Sequence, residues 1–185
     1  MTTLIELLRE QGLRRLPAPV QLASGEMSEY FVDGKEALAH YDDLEVACTE
    51  IVQRVRGAGI DFEAAGGLTL GADALAVGIA AVARCRWFFV RKEPKSRGTR
   101  RLVEGAQIGQ GSRVLLVDDV VTTGGSILQA YEAVTGVGAT VVAAVTLVDR
   151  GDAARQSFAE LDVPYFPMAT YHDLGIPPVG GPRVG

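Results

Sequence analysis

Residues 114–126 read Val114-Leu115-Leu116-Val117-Asp118-Asp119-Val120-Val121-Thr122-Thr123-Gly124-Gly125-Ser126. Four apolar residues lead into adjacent carboxylates, Asp118 and Asp119. Two more apolar residues follow, then a turn of hydroxyl and glycine residues where a helix begins. Such a turn aims backbone N–H groups and hydroxyls at a phosphate, and the helix dipole adds to the attraction. The carboxylates would repel that phosphate. They suit the hydroxyls of a sugar, or the water on a magnesium ion. A phosphate cradle beside a diol clamp describes a site for a ribose 5-phosphate. An ordinary strand-to-helix turn, capped by Asp and Thr, accounts for one acid and one hydroxyl. It does not account for two of each with paired glycines at this spacing.

A second stretch, residues 91–105, holds Arg91, Lys92, Lys95, Arg97, Arg100 and Arg101 among few apolar residues, in a chain whose net charge is −5. It reads as a solvated basic loop, as a nucleic-acid patch or as a lid over a diphosphate. No aromatic residues interleave with its charges and the overall sign is wrong for nucleic acid. A lid would deliver positive charge to a leaving group and exclude water, with Gly98 and Gly105 giving it freedom. Gly66-Gly67-Leu68-Thr69-Leu70-Gly71 resembles a nucleotide P-loop only superficially, because Ala72 stands where the lysine is needed. Thr69 and the amides around it still suit a diphosphate. Arg150, taken alone, is a plain surface arginine. His40 and His172 are isolated, which favours core or surface roles over catalysis.

The elements that must position these residues follow from hydrophobic periodicity. The chain has 185 residues, 48% of them hydrophobic, enough for a single domain with a real core. No apolar run spans a bilayer. The first ten residues mix acids with apolar residues, as in an amphipathic helix rather than a signal peptide. Cys48 and Cys85 fall in helical segments outside any metal-binding pattern, and read as buried free thiols of a reducing cytoplasm. After an N-terminal helix ending near Gly12, Pro17 and Pro19 impose an extended link. Short strands at 20–22 and 30–32 then flank a turn. A helix over 42–56 follows, and strand and helix alternate from Phe62 to Phe166, with strands at 62–66, 87–90, 113–117, 140–148 and 163–166. Continuous apolar strands in that alternation predict an α/β domain with a mainly parallel, doubly wound sheet flanked by helices. Loops 66–73, 91–105, 118–126 and 149–152 then gather at the C-terminal strand ends, where such sheets bind ligands. Residues 1–40 form the helix and a small entry region. Residues 176–185, rich in proline and glycine, read as a flexible tail.

Val117-Asp118-Asp119-Val120-Val121-Thr122-Thr123-Gly124 is similar to the phosphoribosyl-pyrophosphate (PRPP) signature of type I phosphoribosyltransferases. That resemblance implies the type I fold, a parallel sheet core with a small N-terminal hood. The basic loop resembles the catalytic loop of orotate phosphoribosyltransferases. Ser24-Gly25-Glu26-Met27-Ser28-Glu29-Tyr30-Phe31-Val32-Asp33 is similar to that family's N-terminal motif. The loop at 66–73 looks like the pyrophosphate loop of actinobacterial members, and Thr146-Leu147-Val148-Asp149-Arg150 like the strand ending in Asp-Arg. The resemblance covers residues 22–150 in order. It departs at Arg97, where the family's lid carries histidine, and at Ala23 and Leu70, where lysines are common.

The resemblance implies transfer of a phosphoribosyl group from PRPP to orotate in pyrimidine synthesis, in a cytoplasmic homodimer whose lids reach into the neighbouring subunit's site. Magnesium would be held mainly through PRPP and water, without a direct protein ligand. PRPP would meet Thr69, Arg91, Lys92, Lys95, Arg97, Asp118, Asp119, Val120, Val121, Thr122, Thr123, Gly124, Gly125 and Ser126. Of these, Lys95, Arg97, Asp118 and Asp119 would be catalytic. Orotate would meet Tyr30, Phe31, Thr122 and Arg150. Neither nucleic acid nor membrane is an expected partner. Two rival readings share the fold: an enzyme for another base, and a non-catalytic PRPP-sensing regulator.

Overall fold

Along β6 (Arg113–Val121), Val114 and Leu116 belong to one buried cluster and Leu115 and Val117 to another. A strand apolar on both faces must lie inside a sheet covered on both sides. The computed structural model, which describes residues 3–22, 24–94 and 101–179, has that arrangement. Strands β3 (Ala64–Leu68), β4 (Arg86–Val90), β7 (Thr140–Asp149) and β8 (Tyr165–Thr170) run parallel to β6, and the short β5 (Val103–Gly105) is antiparallel to β4. Their order in the sheet is β5-β4-β3-β6-β7-β8.

Helices α3 (Tyr41–Gly57) and α4 (Asp73–Ala83) cover one face through Cys48, Ile51, Leu75 and Ile79. Helices α5 (Gly125–Gly136) and α6 (Ala153–Glu160) cover the other through Ile127, Val134 and Phe158. From β3 the chain passes through α4 to β4 on one side. From β6 it passes through α5 to β7 on the other. The connections after β3 and β6 therefore diverge, and a crevice opens between them at the C-terminal strand ends, the usual ligand position in such sheets.

The N-terminal part supplies the hood. Helix α1 (Leu4–Leu7) continues into a π turn, Leu8–Gly12, and then into the hairpin β1 (Leu13–Gln21) and β2 (Met27–Val32). The short helix α2 (Gly34–Ala37) returns the chain to the core, capped by the Asp33 carboxylate on the amides of Lys35 and Glu36.

Several sequence expectations need correction. Strand β6 runs four residues beyond Val117, because β7 continues alongside it and pairs Val120 with Val148 and Val121 with Asp149. The acidic pair thus lies inside a strand. Pro17 and Pro19 sit within β1, where the ladder breaks between Arg15 and Val20, as the missing proline N–H groups require. The last strand starts at Tyr165, and β5 has too few residues to show a period. Cys85 lies ahead of β4, only half-buried, whereas Cys48 is buried and its thiol is pushed up to about 12 by that burial. Part of the expected tail is docked. Beyond α7 (Tyr171–Leu174), Ile176 and Val179 are buried and the Val179 N–H donates to the Arg150 carbonyl at 2.7 Å. Two apolar side chains hold this segment despite the prolines. Residues 180–185 lie outside the described residues. No helix among the described residues is long and apolar enough to cross a membrane.

Two glycines let the central strands reach the site. A Cβ on Gly67 would fall 2.0 Å from the Val117 carbonyl oxygen, and one on Gly66 would fall 2.2 Å from that of Phe88. Backbone atoms cannot move aside. Gly67→Ala should therefore destabilise the fold by roughly 3 kcal/mol or more, read as a lowered urea midpoint. An unchanged midpoint would show that the strands separate more easily than this packing implies.

Candidate active site

The crevice is built around the acidic pair. Successive strand residues face opposite ways, so Asp118 and Asp119 have different surroundings. Asp118 is only 4% exposed. Its Oδ1 accepts the Asp119 N–H at 3.0 Å, while its Oδ2 is buried with no hydrogen-bond partner among the described residues. Burial, followed by the neighbouring Asp119 charge, pushes the Asp118 carboxyl up to about 7. A buried acceptor with nothing to accept is a place for a ligand hydroxyl. Asp119 faces α2. Its Oδ1 accepts from the Val120 N–H at 2.8 Å and its Oδ2 from Lys35 Nζ at 2.9 Å.

On the other side of Asp118 lies the cradle, a cavity of about 130 Å³ lined by Ser24, Asp118, Val120, Val121, Thr122, Thr123, Gly124, Gly125 and Ser126. Gly124 sets its shape. Its φ is +84°, and a Cβ there would fall 3.1 Å from the Ala154 Cβ, so glycine serves both the turn and the close approach of α6. Helix α5 starts immediately after and directs its N-terminus at the cavity. The Ser24 hydroxyl, from the hood, is buried without a partner among the described residues. It adds a donor to the cradle that lies about a hundred residues away in sequence.

The loop after β3 closes the third side. A Cβ on Gly71 would stand 2.3 Å from Asp119 Oδ1 and 3.1 Å from Asp118 Oδ1, so this loop rests directly on the acidic pair. The Thr69 N–H donates to the Val90 carbonyl at 2.8 Å, and the Thr69–Leu70 peptide is cis. The basic segment starts nearby. Its described ends are pinned by the Arg91 N–H to the Leu102 carbonyl at 2.8 Å, and by Gln129 Nε2 to the Lys92 carbonyl at 2.9 Å. Lys95 and Arg97 lie outside the described residues, as does Ala23.

Arg150 follows β7 beside the end of β6, where its N–H donates to the Val121 carbonyl at 2.8 Å, and is far from a plain surface residue. It is 1% exposed. Nη1 donates to the Tyr30 carbonyl at 2.7 Å and Nη2 to Ser28 Oγ at 3.1 Å, while Nε is buried without a partner among the described residues. No carboxylate among the described residues forms an ion pair with it. Burial pushes its guanidinium down from the usual value. The turn that presents it is fixed by Asp149, which accepts from the Gly151 N–H at 3.1 Å and from the Tyr165 hydroxyl at 3.0 Å. Beside the expected orotate residues, the hood contributes Ser28 and the Tyr30 backbone. Phe31 is 40% exposed and alternates onto the opposite face of β2 from Ser28, so it is not brought to Arg150. Lys35 and Ser24 went unassigned in the sequence, since lone lysines and serines carry no periodic signal.

The Thr69 loop, Asp118, Asp119 and the turn 122–126 thus border one crevice, Arg150 lies beside it under the hood, and Arg91 and Lys92 stand at the base of the adjoining loop. The oxygen donors present fit magnesium bridged through a phosphorylated ligand and water, with Asp118 Oδ2 available to such a water.

Raising an aspartate toward 7 has a stability cost with a definite sign. The folded state disfavours ionisation, so stability is greatest below about 3.8 and is lost as pH rises through about 7. Asp118→Asn removes that loss and keeps an acceptor for the Asp119 N–H. It should be more stable than the parent at pH 8, on the order of 2–4 kcal/mol, with the gap closing toward pH 5. Denaturant melts at the two pH values measure this. A gap independent of pH would show that Asp118 is ionised throughout that range.

Comparison with known proteins agrees with this geometry. A phosphoribosyl transferase domain model matches residues 41–170. Orotate phosphoribosyltransferase from Thermococcus gammatolerans is 35% identical over 83% of this chain and 80% of its own length. The enzyme of that name from Methanocaldococcus jannaschii is 32% identical over 92% of this chain and 94% of its own length. The crystal structure of Mycobacterium tuberculosis orotate phosphoribosyltransferase in complex with PRPP superposes with a TM-score of 0.75 at 34% identity, covering 94% of this chain and 97% of that one. The mainly parallel sheet, the helices on both its faces and the hairpin hood are those of the type I fold, and the chain belongs to the phosphoribosyltransferase family, among the orotate phosphoribosyltransferases.

Proposed function

We infer that this chain joins orotate to PRPP, giving orotidine 5′-monophosphate and pyrophosphate in pyrimidine nucleotide synthesis. The observation that carries the choice of base is Arg150: a buried guanidinium with no acidic partner among the described residues, beside the strand end that leads into the proposed ribose phosphate site. A buried cation requires an anion. Orotate brings a carboxylate on a planar ring, which a guanidinium pairs well. Thr122, in the lining of the cradle, would be a further contact for the base.

In this reading the turn 122–126 holds the 5-phosphate and Asp118 and Asp119 hold the ribose hydroxyls. The bond between the ribose anomeric carbon and the diphosphate oxygen breaks as the bond to a ring nitrogen of orotate forms, and the proton of that nitrogen leaves to the departing diphosphate or to water. Positive charge develops on the ribose ring and negative charge on the diphosphate. The carboxylates favour the first, and the loop around Thr69 with Arg91, Lys92, Lys95 and Arg97 favours the second, so catalysis is mainly electrostatic positioning. Magnesium, when bound with PRPP, would neutralise part of the diphosphate charge. Arg97 supplies fixed charge where a histidine would also share a proton. A cytoplasmic homodimer, with each lid serving the neighbouring site, completes the proposal.

Loss of orotate absorbance on mixing protein, magnesium, PRPP and orotate tests the assignment. Turnover with another base but not orotate would overturn the choice of base. PRPP binding without turnover on any base would favour a regulator. Arg150→Gln should raise KM for orotate about a hundredfold while KM for PRPP moves only a few-fold; equal changes in both would place Arg150 outside the orotate subsite.

A further inference from the structure

We propose that Lys35 is a positioning residue of the ribose clamp: its ammonium holds the Asp119 carboxylate in the one orientation that leaves the Asp118 Oδ2 side open to a ribose hydroxyl. The inference rests on the reading of Asp118 and Asp119 as that clamp.

The geometry of Asp119 leaves few alternatives. Backbone crowds it from two directions: a Cβ at Gly34 would fall 3.1 Å from its Cβ, and one at Gly71 would fall 2.3 Å from its Oδ1. One oxygen is tied to its own chain through the Val120 N–H at 2.8 Å. The other meets Lys35 Nζ at 2.9 Å. Among the described residues no other side-chain cation pairs with either member of the acidic pair. Without Lys35, Asp119 would sit next to a second carboxylate with only the Val120 N–H and no cation among the described residues to offset the repulsion, and rotation toward solvent would relieve it.

Lys35 is itself held in place. Asp33 caps α2 and lies 3.3 Å from Nζ through its Oδ1, so the ammonium is placed between two carboxylates. Burial works against its charge, but the hydrogen bonds and charges of Asp119 and Asp33 outweigh it and hold the ammonium above its usual value. The Asp33 N–H also donates to the Gly12 carbonyl at 2.9 Å, which ties the start of α2 to the N-terminal turn. The hood thereby reaches the clamp by two routes: Ser24 on the phosphate side and Lys35 on the ribose side. A ribose hydroxyl donating to Asp119 adds to, rather than replaces, the lysine contact, because a carboxylate oxygen accepts more than one hydrogen bond.

Steady-state kinetics of Lys35→Met and Lys35→Arg test the proposal. Loss of the ammonium should raise KM for PRPP about tenfold or more and leave KM for orotate within about twofold. Lys35→Arg should restore most of the PRPP affinity. Values for Lys35→Met within twofold of the parent for both substrates would overturn the proposal, and so would equal loss for both substrates with a lowered Tm, which marks a merely structural role. Should Lys35→Met not fold, Lys35→Gln against Lys35→Arg gives the same contrast: a weaker Gln variant supports it, and equal variants overturn it. If the parent itself neither binds PRPP nor turns over orotate, the clamp reading fails first; a parent that is active beside an unaffected Lys35→Met variant sinks the lysine alone.

Discussion

Two adjacent carboxylates held at the centre of the sheet are the constraint from which most other features follow. Asp118 is nearly sealed from water, yet one of its oxygens has no partner among the described residues. Keeping such a group in place requires close packing on all sides. Glycines at 34 and 71 let backbone approach within contact of the pair. The small residues of β3 bring its strand against β6, and the ladder with β7 continues past the pair to Asp149. The fold stores an unfavourable arrangement at the point where a ligand would relieve it, the usual relation between strain and function.

The features legible in the sequence were those carried by neighbouring residues. Alternation of strand and helix announced the layer architecture, and the acids, threonines and glycines of 118–126 marked the turn that lines the cavity. Features made by distant residues were not legible. Lys35 meets Asp119 across 84 positions and Arg150 meets Tyr30 across 120, and neither separation leaves a periodic trace. Arg150 looked like surface because nothing local marks it as buried. Phe31 belongs to the same motif as Ser28, but strand alternation puts the two on opposite faces of β2, with Phe31 on the exposed one. The extra length of β6 was hidden because aspartates are poor strand formers, and only the partner strand overrides that preference. The docking of Ile176 and Val179 was hidden by the prolines around them.

The hood does more than cover the crevice. It supplies a hydroxyl to the phosphate cradle, an ammonium to the acidic pair, and a carbonyl and a hydroxyl to Arg150. The hairpin itself is short, and its ladder is broken at the prolines. A two-stranded element of this kind has little stability alone, so its order must come from these contacts. Ligand affinity and hood stability are therefore linked quantities: what orders one strengthens the other.

The bond from the Val179 N–H to the Arg150 carbonyl has a consequence for synthesis on the ribosome. Chains fold from the N-terminus as they emerge, so the hairpin holding Ser28 and Tyr30 leaves the exit tunnel long before its arginine. Arg150 follows, but the backbone that carries it lacks its last clasp until residue 179 has also been made and released. The Gly124 turn packs on Ala154 of α6 and the Arg150 turn is clasped at Val179, so both sides of the crevice are completed only by residues made after the acidic pair, late in the synthesis of the chain.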